Sequence, residues 1–336
     1  MAHFIQHSPT SSLRQRGVAL ITAMVITVIA VTLAATLVYR QQVSIHLAGN
    51  LGAMEQAYQY ATGMEAWAGV ILRNDFQDNT IDSLDDDWAT LLPPIPIPGG
   101  HMNGQLFDLQ ARLNLNDVVE QVNQNGQKIQ RPDAVQTARL KTLFNKLHLT
   151  AEPLVDALVD WIDEDEQESL SGAESAYYKI LESPYLAANA PLVSFSELRL
   201  VKGFNEKVKD EKGNEVSILP KISEYVTTLP AKKIKINVNT APFDVLYALG
   251  NIDETQVNNV LEDRKQEPFA TVTDFVRSLG LANPNNFPID RLSVNSEYFL
   301  LQGLVQIGKV RVFINSVLHR DNTGRTRVIR REFSES

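Results

Sequence analysis

The longest apolar segment of the chain lies near its N-terminus, at residues 18–38, and contains no charged residue. As an α-helix this segment would be about 30 Å long, which matches the hydrocarbon core of a bilayer. Arg14 and Arg16 precede the segment, and no acidic residue does. The positive-inside rule therefore predicts a cytoplasmic N-terminus, with the rest of the chain on the far side of a membrane.

Apolar residues recur at helical spacing beyond residue 38, which predicts that the same helix continues to about residue 72. They include Val43, Leu47, Leu51, Met54, Tyr58 and Ala61. Gly49 and Gly52 are expected to weaken or bend this part of the helix. The pattern predicts a long helix that is apolar on all sides in its first half and amphipathic in its second half.

The C-terminal region has the pattern of β-strands. Residues 300–308, 309–319 and 326–333 are rich in Val, Ile and Phe, and the RDNTGR sequence at 320–325 is typical of a hairpin turn. Earlier in the chain, residues 105–116 alternate between apolar and polar positions, which predicts a further strand that ends in a loop.

Between these regions, residues 132–162 have the apolar spacing of two helices, with Pro153 near the start of the second. Residues 75–105 combine an acidic patch with the PPIPIPGG sequence and are predicted to form a loop. The whole pattern predicts an α+β protein, in which a large helical block separates the long N-terminal helix from a C-terminal antiparallel sheet.

Charge and composition exclude some functions. The net charge of −9 disfavours binding to the phosphate backbone of nucleic acids and favours cations or basic partners. The chain has no cysteine, which excludes disulfides and cysteine-based metal sites. Its 6 histidines are scattered, and it has no nucleophile-elbow or phosphate-loop motif, so we identify no catalytic residue.

Residues 160–178, DWIDEDEQESLSGAESAYY, contain a dense run of carboxylates. Such groups repel each other unless a cation neutralises them, and calcium accepts about six to eight oxygen ligands from a flexible loop. Asp163 and Asp165 can converge on one ion, Gly172 permits a tight turn, and Glu174 can close the shell. The EF-hand pattern is not met. The alternatives are a solvated acidic loop and, less favoured, a catalytic carboxylate pair, for which the sequence predicts no cleft.

Residues 236–275 resemble the helix-hairpin-helix modules of DNA-uptake proteins, with an INVNTA lead, two short helices and a phenylalanine before a third helix. In the DNA-binding form, a glycine-rich hairpin presents backbone amides to phosphate. Here Asp253 stands where the second glycine is expected, and Glu254 follows it. We therefore interpret this segment as the same small helical fold used for packing or for contacts with proteins.

Gly17 lies directly between the basic N-terminal stretch and the apolar segment. This arrangement resembles a type IV prepilin leader, which would be cut between Gly17 and Val18. A simple membrane anchor is the alternative, and a cleavable secretory signal fits less well because the apolar run is long and a poor cut site follows it. Thr22 would be the fifth mature residue, where type IV pilins and major pseudopilins usually have a glutamate that pairs with a neighbour's amine.

Taken as a whole, the chain resembles general secretion pathway protein K (GspK), the K-type minor pseudopilins of type II secretion systems. The matching segments, in chain order, are RQRGVALITAMVI, FDLQARLNLN, the DWIDEDE…GAESAYY loop, SPYLAANAPLVSFSELRLVKGF and INVNTAPFDVL. The resemblance implies a pseudopilin fold, a long N-terminal helix plus an antiparallel sheet, interrupted by a large inserted α-helical domain with helix-hairpin-helix/SAM-like modules.

The resemblance also implies how the chain is divided. The implied units are a prepilin leader (1–17), a transmembrane and filament-core helix (18–38, continuing to about 72), a first part of the pseudopilin core (73–116), the inserted domain (117–287, with the acidic metal loop at 160–178 and the helix-hairpin-helix-like part at 236–280) and a second part of the core with the C-terminal strands (288–336). Thr22 in place of glutamate agrees with a subunit at the end of a filament.

The function implied by the resemblance is structural, without enzymatic activity. The protein would be cut by the prepilin peptidase, methylated at its new N-terminus, and held in the bacterial inner membrane by a single span with its globular part in the periplasm. With I- and J-type minor pseudopilins it would form the pseudopilus tip and initiate assembly, for export of folded proteins across the outer membrane. Other pseudopilins, the inner-membrane platform and exported proteins are the further partners, and nucleic acid is not one.

The resemblance extends to calcium as a cofactor. Asp163, Asp165 and Glu174 are then the expected ligands, with Asp160 and Glu168 as further candidates. Two other functions stay open at this point: a membrane-anchored DNA-uptake or DNA-binding protein that uses the hairpin module, and an anchored periplasmic enzyme.

Overall fold

The computed structural model of the protein describes residues 16–91, 93–209, 213–230, 233–281 and 287–335. Of the predicted leader, residues 1–15, including Arg14, lie outside the described residues.

Helices and short strands alternate along the middle of the chain, between a long first helix and three long final strands. The helices are α1 (Arg16–Asp78), α2 (Ala134–Lys146), α3 (Ala151–Ile162), α4 (Ser175–Lys179), α5 (Ile218–Ile222), α6 (Phe243–Tyr247), α7 (Glu254–Gln266) and α8 (Val272–Ser278). The strands are β1 (Ile95–Ile97), β2 (Gly100–Asp108), β3 (Leu113–Asn114), β4 (Val119–Gln124), β5 (Gln127–Pro132), β6 (Lys207–Lys209), β7 (Glu215–Ser217), β8 (Val226–Thr227), β9 (Ile236–Asn237), β10 (Leu292–Ser293), β11 (Tyr298–Ile307), β12 (Val310–Arg320) and β13 (Thr326–Glu335).

The first helix, α1, is continuous over 63 residues and ends beyond the predicted limit near residue 72. Gly49 and Gly52 lie inside it and do not interrupt it. Among the described residues, α1 is the one helix long and apolar enough to cross a membrane, and none of its most apolar window is buried. An exposed apolar surface of this length requires a lipid or protein environment, because in water its exposure is unfavourable.

The second half of α1 packs on one face of a five-stranded sheet. It buries about one residue per turn, namely Ala57, Ala61, Met64, Ala68 and Leu72. The small alanines let the helix approach the sheet closely, where Leu106, Leu301 and Ile314 complete the core. This spacing of three or four residues is the amphipathic pattern that the sequence predicts.

A buried carboxylate on α1 fixes the position of this helix on the sheet. Glu65 on α1 is 6% exposed and accepts hydrogen bonds from the Ser316 hydroxyl and from the Arg331 guanidinium, whose Nε lies 2.7 Å from Glu65 Oε1. Ser316 and Arg331 lie opposite each other on β12 and β13. A shift of the helix along the sheet would leave the carboxylate buried without partners, which is costly.

The sheet has the strand order β1-β2-β11-β12-β13, and every neighbouring pair is antiparallel. The three long C-terminal strands lie where the sequence predicts them. Strands β2 and β11 are neighbours, so residues 109–297 leave the sheet and return to it between adjacent strands. These residues form a second and larger hydrophobic core of their own.

The inserted residues are not entirely helical, in contrast to the sequence-based prediction. They contain two β-hairpins, β4–β5 and β6–β7, and two short parallel pairs, β3–β8 and β9–β10. The turn of the first hairpin is Asn125-Gly126, with φ of 54° and 81°. Two consecutive positive φ values are what a two-residue hairpin turn requires, and the Asn-Gly pair adopts them at low cost.

Arg320 joins α1, the sheet and the inserted residues. Its side chain is 3% exposed and donates to Asp75 Oδ2 at 3.1 Å, to Asp82 Oδ1 at 2.6 Å and to the carbonyl oxygens of Leu72 and Ser296. Asp75 lies at the end of α1, and Asp82 lies in the loop that follows. The Arg320 guanidinium therefore holds the C-terminal end of α1 next to β12 and to the residues just before β11.

Asp108, at the end of β2, extends this junction into the inserted residues. It is 5% exposed, and its Oδ2 accepts hydrogen bonds from Ser296 Oγ at 2.6 Å, Thr240 Oγ1 at 2.5 Å and Asn237 Nδ2 at 3.2 Å. Asn237 and Thr240 belong to the INVNTA sequence. That motif therefore serves here to attach the helical module to the sheet.

Candidate functional site

The acidic loop begins where α3 ends and finishes where α4 begins. Asp163 is the residue after α3, and Glu174 is the residue before α4, so two helix ends position them. One carboxylate oxygen each from Asp163, Asp165 and Glu174 lie within 4.8 Å of one another. We call these three residues the loop cluster. The structure thus brings together the three principal ligands that the sequence predicts.

Two of the three carboxylates are buried without partners. Glu174 is 3% exposed and Asp163 is 8% exposed. Both oxygens of Glu174 and Oδ1 of Asp163 have no hydrogen-bond partner within the described part of the chain. Buried carboxylates without a donor or a counter-charge are strongly unfavourable, so this arrangement fits a cation held by oxygen ligands.

Burial and mutual repulsion change the acidity of these groups. Burial, followed by the charges of Asp165 and Asp160, raises the pKa of Asp163 to about 7. Burial, followed by Asp160, Asp163 and Glu166, raises the pKa of Glu174 to about 7. A cation favours the ionised form of both groups, so its binding would release protons near neutral pH.

Asp160 and Glu168, the two further candidate ligands, lie outside the loop cluster. Asp160 is fully buried and accepts hydrogen bonds from the Ser169 backbone N–H at 3.1 and 3.2 Å, which shape the loop. A Cβ atom at residue 172 would collide with the Asp160 carboxylate, so the glycine there allows a close approach. The Gly172 carbonyl accepts a hydrogen bond from Lys202 Nζ at 2.7 Å. Glu168 is exposed, and neither it nor Asp160 belongs to the loop cluster.

Asn189 is a residue of this site that the sequence-based prediction missed. Its Nδ2 lies 3.5 Å from the Asp165 carbonyl and 3.4 Å from Glu166 Oε1. Its Oδ1 is buried and has no partner among the described residues. Amide oxygens are common calcium ligands. Asn189 is therefore a candidate fourth ligand, held at a φ of 44° that asparagine tolerates.

A second set of predicted site residues lies at the start of α1. Gly17 and Val18 are in the first turn of the helix. The Thr22 hydroxyl donates to the carbonyl oxygens of Val18 and Ala19, both at 3.0 Å. The hydroxyl is therefore satisfied within its own helix and needs no partner from another subunit.

The segment that the sequence predicts to be helix-hairpin-helix-like contains α6, α7 and α8. Gly250 and Asn251, between α6 and α7, have positive φ. Asp253 then caps α7: its carboxylate accepts from the Gln256 backbone N–H at 2.9 Å, and the Gln256 side chain accepts from the Asp253 N–H at 2.9 Å. The carboxylate thus occupies the end of the helix at which such a module would hold phosphate.

A membrane-length helix that continues onto one face of a C-terminal antiparallel sheet is the architecture of a pilin-like protein. Residues 111–221 and 236–295 match two family models, both described as type II secretion system protein K. The chain is 32% identical to type II secretion system protein K of Pseudomonas aeruginosa, over 96% of this chain and 93% of the relative. It is 30% identical to the protein of the same name from Aeromonas hydrophila, over 95% and 97%. The chain therefore belongs to the type II secretion system protein K family.

A solved structure also resembles this one. It is the GspK-GspI-GspJ complex of the type 2 secretion system from enterotoxigenic Escherichia coli. One chain of that structure matches with a TM-score of 0.69 and 25% identity, covering 84% of this chain and 97% of the other. The family that the sequence predicts is confirmed, as is the mixed helix-and-sheet fold with its long N-terminal helix.

Proposed function

We propose that this protein is the minor pseudopilin that starts and caps the pseudopilus of a type II secretion system. The observation that carries the proposal is the likeness, over 84% of this chain, to a chain of a complex of K, I and J components. I- and J-type minor pseudopilins are therefore its expected partners at the filament tip. The protein acts by subunit contacts and has no catalytic activity.

The helix α1 supplies the driving force for assembly. Val18, Leu20, Ile21 and Met24 are each more than 60% exposed, and the apolar surface continues along the next turns. In the inner membrane this surface contacts lipid, with the globular part in the periplasm. In the filament it packs against the corresponding helices of other pseudopilins, and burial of apolar area contributes about 25 cal/mol per Å².

Thr22 and the inserted residues support a position at the end of the filament. The Thr22 hydroxyl bonds to its own helix and carries no charge, so it cannot neutralise the N-terminal amine of a subunit above. The inserted residues 109–297 enlarge the head well beyond its sheet, which would obstruct stacking of another subunit on top. Contacts with the inner-membrane platform and with exported proteins belong to the same proposal.

Calcium is the cofactor that the loop cluster fits, since hard cations prefer oxygen ligands. Asp163, Asp165 and Glu174 would hold the ion, and Asn189 would add a neutral oxygen. The ion would neutralise the loop and fix the ends of α3 and α4. The ordered loop would then present a defined surface at the side of the inserted residues.

Processing of the N-terminus gives the first test. Mass spectrometry of the protein from cells with prepilin peptidase should find a chain that starts at Val18 and carries one additional methyl group. Cells without the peptidase should contain the chain with its leader. An intact leader in both strains would remove the filament assignment and leave a simple membrane anchor.

Co-purification tests the position at the tip. The full chain in detergent should form a complex with the I- and J-type minor pseudopilins of the same secretion system. Thr22→Glu should leave this complex intact but should reduce the number of filaments started in cells, because its carboxylate can pair with the N-terminal amine of another subunit and compete with the end position that the inserted residues favour. Normal filament initiation by Thr22→Glu would contradict the role given to Thr22.

Binding of DNA through the α6–α8 module is the competing function. The Asp253 carboxylate caps α7, and Glu254 is already paired with Lys146. Counterion release cannot favour duplex DNA on an acidic surface. We expect no shift of duplex DNA in a gel at low salt, and a salt-dependent complex would favour the DNA-uptake function instead.

A further inference from the structure

Lys202 contacts the chain on both sides of Glu174, although it lies in a separate segment and is not a member of the loop cluster. Its Nζ donates to the carbonyl oxygen of Gly172 at 2.7 Å and to that of Ser171 at 3.4 Å. The same Nζ lies 5.0 Å from the centroid of the Tyr177 ring. Ser171 and Gly172 precede Glu174, and Tyr177 follows it on α4. The ammonium group therefore bridges the turn before Glu174 and the helix after it.

The backbone of Lys202 makes a further contact with α4. Its N–H donates to the hydroxyl oxygen of Tyr178 at 3.2 Å. Tyr178 is fully buried, and its ring packs edge-to-face against Trp161 near the end of α3, with 5.1 Å between the ring centroids. Lys202, α4 and the end of α3 therefore form one packed unit, and the contacts of Lys202 restrain the backbone that carries Glu174.

The Glu174 side chain has no hydrogen bond that would orient it. Neither carboxylate oxygen has a partner within the described part of the chain, so the backbone and the packing decide where the carboxylate lies. The preceding turn is held from the α3 side by its N–H groups, since Ser171 donates to Asp156 Oδ2 at 3.3 Å. Lys202 holds the carbonyl groups of the same turn. Metal ligands depend on outer contacts of this kind for their orientation.

We propose that Lys202 is a positioning residue of the cation site, which places Glu174 through the bonds of its ammonium group to the Ser171 and Gly172 carbonyl oxygens. This inference rests on the proposed binding of calcium by the loop cluster. The cluster then meets the ion with its carboxylates already in place, which lowers the cost of ordering the loop on binding. Substitution of residues that hold metal ligands typically lowers metal affinity by about 10–100-fold.

The charge of Lys202 and its positioning role predict opposite effects on calcium binding. An ammonium group near an acidic loop repels a cation, so removal of the charge alone should strengthen binding slightly. Loss of the positioning bonds should weaken it. Lys179, the exposed last residue of α4, is the matched control for charge, because it lies on the helix that follows Glu174 and takes no part in those bonds.

Calcium titration of the full chain in detergent by calorimetry tests the proposal. We expect Lys202→Met, which keeps an unbranched side chain without its donors, to bind calcium about tenfold more weakly than the unmodified protein. Lys179→Met should bind calcium as well as the unmodified protein or slightly more tightly. Lys202→Arg keeps both donors and charge and should retain most of the affinity. Equal affinities of Lys202→Met and Lys179→Met would overturn the proposal.

Thermal unfolding separates positioning from a purely structural role. If Lys202 positions Glu174, calcium should raise Tm less in Lys202→Met than in the unmodified protein. A structural role alone would lower Tm equally in calcium and in EDTA, would leave the affinity unchanged, and would overturn the assignment.

Two further outcomes are distinguishable from these. If Lys202→Met does not fold, Lys202→Gln takes its place, because its shorter amide cannot bond both carbonyl oxygens and should also weaken calcium binding. An affinity of Lys202→Gln equal to that of Lys179→Met would contradict the positioning role. If the unmodified protein bound no calcium, the cofactor proposed for the loop cluster would be wrong, and the role of Lys202 would fall with it.

Discussion

Among the described residues, two clusters of three carboxylates lie in different parts of the molecule, and one of the two is paired with an arginine. The first, which we call the junction cluster, consists of Asp75, Asp82 and Asp86. The second is the loop cluster. In both, one oxygen from each residue lies within 4.8 Å of the others, and two of the three residues are buried.

The difference lies in what neutralises each cluster. The junction cluster receives the Arg320 guanidinium, while Asp86 accepts hydrogen bonds from the Ser83 N–H at 2.7 Å and from Trp88 Nε1 at 3.2 Å. In the loop cluster, Asp163 and Glu174 have oxygens without any partner among the described residues. The fold thus supplies a cation where it joins helix and sheet, whereas the cation proposed for the loop would have to come from solution.

The largest effect on stability is expected from removing Arg320, the cation of the junction cluster. Arg320→Met leaves Asp75 and Asp82 buried without a counter-charge and also removes the contact of the guanidinium with the Phe299 ring, 4.8 Å from its centroid. Breaking one partner of a buried charge pair costs about 3–5 kcal/mol. Urea unfolding of the full chain in detergent should show this loss, with or without calcium.

Arg277→Met is the matched control, because Arg277 pairs with Asp274 at the surface and is 74% exposed. Exposed pairs contribute at most about 1 kcal/mol. If calcium restored the stability of Arg320→Met, the junction cluster would be a cation site in its own right, and the contrast between the two clusters would disappear.

The next largest effect on stability is expected from calcium at the loop cluster. Calcium should stabilise the unmodified protein by about 2.7 kcal/mol at a hundred times its Kd. Glu174→Gln removes a buried charged ligand and should abolish this increment. With a chelator present, the same variant should be more stable than the unmodified protein, because it no longer buries a repelled carboxylate. Thermal unfolding with calcium and with EDTA measures both.

Glu168→Gln is the control for the loop, because Glu168 is exposed and lies outside the cluster. It should keep nearly all of the calcium increment. A loss as large as that of Glu174→Gln would mean that the ion is held by the whole acidic run, which is the solvated-loop interpretation with diffuse binding.

The pH dependence of folding stability, measured with and without calcium, gives a smaller effect that is specific to the loop cluster. Burial raises the pKa of Asp163 and Glu174 in the folded chain to about 7, above their ordinary values of 3.8 and 4.5. Without calcium, the folded state therefore binds more protons, and stability should fall as pH rises from about 4 to 7 and then level off. Calcium holds both groups ionised, so its stabilising effect should be largest above pH 7 and should decline below it.

Asp75 and Asp108 are buried outside the loop cluster and titrate in the same pH range. Burial, followed by the charges of Asp82 and Asp86, raises the pKa of Asp75 to about 7, and burial raises the pKa of Asp108 to about 6. Both carboxyl groups therefore contribute to the fall of stability with rising pH, but calcium bound at the loop does not change their contribution. The difference between curves with and without calcium isolates the loop cluster. Identical curves would contradict cation binding there.

The parts of the fold predicted from sequence are those with strong periodicity. The apolar residues of α1 repeat at helical spacing, and the C-terminal strands are rich in Val and Ile. The sequence therefore predicts correctly that the first is a helix and the others are strands. The β4–β5 hairpin was missed because its strands are polar and mostly exposed. Its Asn125-Gly126 turn was nevertheless a usable signal.

Only part of the candidate metal site could likewise be predicted from the sequence. Asp163, Asp165 and Glu174 lie close in sequence, so local spacing was enough to group them. The burial of Glu174, which leaves it without partners, depends on how α4 packs and could not be read from spacing. Asn189 reaches the loop from a separate segment, and no local pattern links it to Asp165. Tertiary packing alone brings these two residues together.

The smallest effect, and the sharpest test of the site's composition, is expected at Asn189. Asn189→Ala removes one neutral oxygen and should weaken calcium binding by roughly tenfold or less, far below the effect of Glu174→Gln. Asn189→Asp keeps an oxygen at the same place and also tolerates a φ of 44°, so it should bind calcium at least as well as asparagine. Calcium titration of both variants by calorimetry measures the order. If both variants lost stability equally with and without calcium, Asn189 would only support the loop through its contacts with Asp165 and Glu166, and the ion would be held by carboxylates alone.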